Sequence, residues 1–156
     1  MAPPALPSPA VRHVVDRFSF GITPALADEV RRVGPDAWFE RQLTPGRIAD
    51  VWTDRHRAWF PAVGKTPEQI KNDNDSGVRS GYESCLDVAR HALMQRTYSR
   101  RSLYEHMVAL WSDMLHVPLH DDSVWATRPQ YDAVVRRYAM GNFKDLLYAT
   151  TTHPAM

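Results

Sequence analysis

One piece of punctuation recurs along the chain: a serine or threonine, then a proline, then apolar residues spaced three and four apart. It occurs at Ser8-Pro9, Thr23-Pro24 and Thr66-Pro67. A hydroxyl at the cap position accepts a hydrogen bond from an otherwise orphaned backbone N–H of the first turn. Proline in that first turn sacrifices no bond, because its missing N–H would have had no partner there. Each such pair therefore starts a helix and discourages any alternative. Glycines stop the runs they start. Val11, Val14, Val15 and Phe18 lead to Gly21, and Leu26, Val30 and Val33 lead to Gly34. Pro35 opens a third short segment containing Trp38, Phe39 and Leu43.

The same period continues to the end. Thr66, Pro67 and Gln69 have the spacing of a reciprocal cap. Polar Asn72 to Gly81 reads as a mobile loop. From Glu83 to Tyr98 a broad apolar arc faces a narrow strip of Asp87, His91 and Gln95, which predicts a central helix with that strip toward water. Ser102 to His116 is the cleanest amphipathic run. Tyr131, Val134, Val135 and Tyr138 make another stripe, and Asn142 caps a last helix from Phe143. No period-two run suggests a strand. The expected fold is all-α: an irregular bundle of about six to eight helices, several of them short, over residues 9–156, preceded by a flexible Pro-rich arm at 1–8.

Composition removes several function classes. A net charge of +1 lacks the basic excess of a nucleic-acid binder, so no nucleic-acid partner is expected. Sixteen Arg against three Lys reads as codon bias, and Arg31-Arg32, Arg100-Arg101 and Arg136-Arg137 as solvated helix faces. The single Cys85 forms no intrachain disulfide and reads as a small buried hydrophobe. No apolar run reaches the roughly 18 residues of a membrane span. The opening residues lack the charge and apolar core of a secretory leader, so the chain as written reads as cytoplasmic.

Candidate chemistry is sparse. Asp113 and His116, three apart, have the helical spacing by which a carboxylate and an imidazole can share an ion. His120 and Asp121 follow in the next loop and complete a candidate divalent-metal set of Asp113, His116, His120 and Asp121. His13 with Asp16, and Asp87 with His91, repeat the spacing. All these residues fall on polar faces, so solvated side chains are the stronger expectation and no cofactor is expected. Cys85 and His91, six apart, lie on different sides of one helix, and no nucleophile elbow or phosphate loop is present. Trp38, Trp52, Trp59, Trp111 and Trp125 read mainly as core.

Three stretches carry a likeness: RFSFGITPALADEVRRVGPDAWFERQL (Arg17 to Leu43), YSRRSLYEHMVALWSDMLHV (Tyr98 to Val117) and YDAVVRRYAMGNFKDLLYATTTHPAM (Tyr131 to Met156). In this order they resemble the N-terminal third of the bacterial family called domain of unknown function 1800. The resemblance implies a truncated copy, since relatives continue past the His-Pro-Ala-Met position, and it implies relatives that are exported. Relatives carry Asn-His where this chain has Asp113-Met114, so Met114 stands where the family has an imidazole. The family brings no established activity. The expected function is a non-catalytic scaffold or interaction segment. A metal-assisted hydrolase fragment and a partner-binding module are the alternatives. The expected partner is the remaining C-terminal region or another protein, docking on an apolar patch around Trp125, Tyr148 and Met156.

Overall fold

The computed structural model describes residues 7–119 and 124–156, and these are all helix and connection, without a strand. Among the described residues nine α-helices run in order: α1 (Pro9–Phe18), α2 (Pro24–Val33), α3 (Pro35–Gln42), α4 (Val51–His56), α5 (Pro67–Asp75), α6 (Gly81–Tyr98), α7 (Ser102–Met114), α8 (Arg128–Tyr138) and α9 (Phe143–Thr151). Single 3-10 turns sit at Pro45–Arg47 and Arg57–Trp59. Residues 1–6 of the expected arm lie outside the described residues.

The caps form as their chemistry demands. Ser8 accepts from the Val11 N–H and Thr23 from the Leu26 N–H, each with proline in the first turn behind it. Thr66 and Gln69 cap one another reciprocally. Ser80 and Glu83 do the same, so α6 starts at Gly81, earlier than apolar spacing alone indicates.

Two clusters organise the packing. Val11, Val15, Ala27, Val30 and Trp38 join α1, α2 and α3 into an N-terminal layer. Val117, Tyr131, Val135 and Ala155 gather around α8. Buried polar side chains tie the two halves together. Gln42 donates to the Arg100 carbonyl at 3.0 Å and accepts from the Leu103 N–H at 3.3 Å. Asp50 accepts from the Ser99 hydroxyl at 2.5 Å and from the Arg100 N–H at 3.1 Å. The α6–α7 corner is thereby clamped from both sides.

Three expectations change. The polar stretch from Asn72 is helical through Asp75 and wired beyond it, rather than a loose loop. Asn74 accepts from the Gly81 N–H at 3.0 Å, and Lys65 pairs with Asp73. The strip Asp87–His91 points inward, at 1% and 4% exposure, whereas Leu93 on the same helix is 66% exposed. Partners explain the reversal: Asp87 accepts from Arg79 at 2.5 Å and from the Ala62 N–H at 3.1 Å, so its burial is compensated. Finally, Arg136 is turned inward against carboxylates instead of lying on a solvated face.

Candidate functional site

The described surface holds a polar cavity of about 280 Å³ between α4, α6, α7 and α8. Three groups dominate its wall. From α8, Asp132 and Arg136 are one helical turn apart, so both reach the same side. Arg136 Nε donates to Asp132 at 2.9 Å, and its Nη1 donates to the two oxygens of Glu105 on α7 at 3.0 and 2.9 Å. Tyr104 donates its hydroxyl to the Arg136 carbonyl at 2.8 Å. From α6 comes His91, edge-on to Phe60 and 3.2 Å from the Gln95 amide nitrogen. From the α4 side come Arg57 and Asp54.

Burial sets the electrostatics. It pushes the Glu105 carboxyl up, with the Arg136 charge opposing. Burial works against the Arg136 guanidinium, but Asp132 and Glu105 outweigh it and the net direction is upward. His91 is lowered to about 4, first by burial and then by the Arg136 and Arg57 charges, with Asp132 opposing. Its imidazole is therefore neutral at physiological pH. As placed, the Gln95 amide donates to His91 Nε2, which leaves the ring proton on Nδ1. That Nδ1 is buried and has no hydrogen-bond partner.

A second feature lies at the other end of α7. There Trp111, on the same helix as Leu110 and Met114, stacks its ring on Phe143 of α9 at 5.4 Å between centroids. Met114 is 64% exposed and Tyr148 is 72% exposed, and Leu110, Phe143, Leu147 and Met156 are exposed with them. Tyr148 and Met156 thus stand where an open apolar patch was expected. Trp125 does not join them: it is half-buried and packs against Gly81 at the start of α6.

Two of the four metal candidates, Asp113 and His116, lie among the described residues. Helix α7 ends at Met114, so His116 lies past the helix and the one-turn spacing to Asp113 is not realised. Asp113 and His116 are both exposed, and His120 and Asp121 lie outside the described residues. Asp16 pairs with Arg12 at 3.5 Å beside an exposed His13. Asp87 turns to Arg79 while His91 turns to Gln95. No group of three or more His, Cys, Asp or Glu among the described residues could hold a metal ion.

Glu105, Asp132 and Arg136 were missed by sequence reasoning. Spacing gave no signal for Glu105, which falls beside the apolar stripe of α7 and not within it, yet is buried. The aromatic reading holds for Trp38, which is buried. It fails for Trp52 and Trp59, exposed rings grouped with His56 and Tyr98, with Trp52 4.1 Å from His56 and 4.4 Å from Tyr98. None of the helices among the described residues is long and apolar enough to cross a membrane.

A family model described as protein of unknown function (DUF1800) matches residues 13–156. The likeness is thus not confined to three stretches, nor to an N-terminal third. No curated protein and no solved structure matches the chain.

Proposed function

The chain belongs to this family of proteins of unknown function, and from its geometry we propose that it is a non-catalytic interaction module whose apolar α7–α9 face receives a helix of a polypeptide partner. The observation that carries the reading is the set of exposed side chains around the Trp111–Phe143 stack.

The form of the surface favours a helix as occupant. Both α7 and α9 pack on α8. Each offers an exposed apolar pair one turn apart, Leu110 with Met114 and Phe143 with Leu147. Apolar ridges of this kind are the surface on which the side-chain rows of a third helix can pack. Met114 and Met156 add side chains that adapt to an irregular partner. Fully covering a large apolar side chain contributes about 1.5–3 kcal/mol, and half of that for residues already half covered. Six of them are enough to offset an association cost on the order of several kcal/mol.

Sedimentation velocity over a concentration series tests the reading. Copies of the chain present the same apolar helices to one another, so the sedimentation coefficient of the wild-type chain rises with concentration. The double substitution Leu147→Glu and Tyr148→Glu removes that rise and leaves the helical circular dichroism unchanged, because both side chains are exposed. A wild-type chain that stays strictly monomeric, sedimenting as the double variant does, counts against it.

A further inference from the structure

We propose that the polar cavity between α4, α6, α7 and α8 is a binding site for a small oxyanion, the carboxylate or phosphate group of a metabolite-sized compound, held by His91 Nδ1–H and the Arg57 guanidinium. This site is separate from the apolar face and goes beyond the interaction reading.

The case rests on an inventory of hydrogen-bonding capacity. The cavity wall is rich in both signs of charge, so charge alone selects no ligand. Its two buried carboxylates, however, are engaged. Both oxygens of Glu105 accept from Arg136 and Asp132 accepts from the same guanidinium, while Asp54 is exposed to solvent, 3.9 Å from Arg101. What remains over is donor capacity. His91 is more than nine-tenths buried, lines the cavity, and has an Nδ1 with no partner. Leaving such a group unpaired is costly, so an acceptor delivered by a ligand recovers that cost. Arg57 supplies the charge. It lines the same cavity, and no carboxylate among the described residues forms an ion pair with it. Its Nη2 sits 3.1 Å from where a Cβ would stand on Gly64, so the bare glycine is what admits the guanidinium to this wall. A cation and a neutral imidazole N–H together match an oxygen-rich anion, and hydrogen bonds to an ionised acceptor are roughly twice as strong as neutral ones.

Size narrows the class. A volume of about 280 Å³ falls just below the roughly 300–1,000 Å³ of drug-sized ligand sites. A phosphate or a short dicarboxylate fits; a nucleotide or a peptide does not.

The test is titration of the full chain with inorganic phosphate and, separately, with succinate, at an ionic strength held constant with sodium chloride. Binding is read by calorimetry and by the imidazole ¹⁵N shifts of His91. Saturable binding of at least one anion is expected, with the Nδ1 resonance moving as it gains an acceptor. Arg57→Gln weakens that binding at least about tenfold. The control Arg31→Gln, on the α2 surface beside Asp28, leaves it unchanged. Phosphate alone binding assigns a phosphate-class ligand, and succinate alone a carboxylate. Failure of both anions to saturate overturns the proposal, as does binding that survives Arg57→Gln intact. Because the Arg57 side chain is exposed, that variant folds and carries the test even if His91→Gln does not.

Discussion

Arg136 closes on Glu105 from the adjacent helix through a single nitrogen, Nη1, which donates to both carboxylate oxygens at 3.0 and 2.9 Å. The contact joins α7 to α8 across 31 residues of sequence, and Glu105 is only 3% exposed. Arg136→Met leaves Glu105 and Asp132 buried without their cation and is expected to cost about 3–5 kcal/mol, read as a lowered urea midpoint. Replacing Glu105, Asp132 and Arg136 together by leucine or methionine recovers most of that loss, since the pairing and its desolvation disappear together.

Acid sensitivity follows from His91. Its folded pKa is lowered to about 4, by burial first, against about 6.5 when unfolded. Between those values the unfolded chain takes up a proton that the native chain refuses, so stability falls as pH drops from about 6.5 to 4. The loss is on the order of 2 kcal/mol, discounted from the full linkage for screening by the polar cavity that His91 lines. His91→Gln is expected to flatten that part of a Tm-against-pH curve. His153, lowered by burial and by Arg128, retains a slope of the same sign.

Gly81 has no room for a methyl group. A Cβ there would stand 2.5–2.8 Å from the ring atoms of Trp125, and an indole body cannot swing aside as a flexible tip can. Gly81→Ala improves helix propensity but overpacks this contact, for a net loss of roughly 1–3 kcal/mol. A lower Tm and altered tryptophan emission check it. Gly46→Ala, which meets nothing within 4 Å, is expected to leave Tm unchanged or slightly raised.

Asp87 anchors the turn after Phe60 by accepting the Ala62 N–H, and it also neutralises Arg79. Asp87→Ala orphans a buried N–H and a partly buried guanidinium, with an expected cost of about 3 kcal/mol. Hydrogen exchange at Ala62 should accelerate selectively.

Cys85 is 1% exposed, and burial pushes its thiol up, with Arg128 opposing. Native protein is expected to resist a thiol reagent that labels it fully in denaturant. Prompt labelling of the native chain would contradict its placement.

Much of the architecture was legible without coordinates. Ser8, Thr23, Thr66 and Asn142 announce helix starts because a cap is a contact between residues two or three positions apart. The exposure of Tyr148 and Met156 was legible too. The cavity was not. Glu105 reads as a stray charge until Arg136 is beside it, and Asp87 with His91 reads as a solvated strip.

The amino-acid order by itself determined that this protein is helical and where most helices begin, since caps, first-turn prolines and glycine stops act within one turn of chain. Tertiary structure alone decided which side of α6 and α7 faces inward. A buried carboxylate or imidazole is tolerated only where a distant segment supplies its partner. Leu93 and Met114 face outward because, among the described residues, no apolar surface covers them.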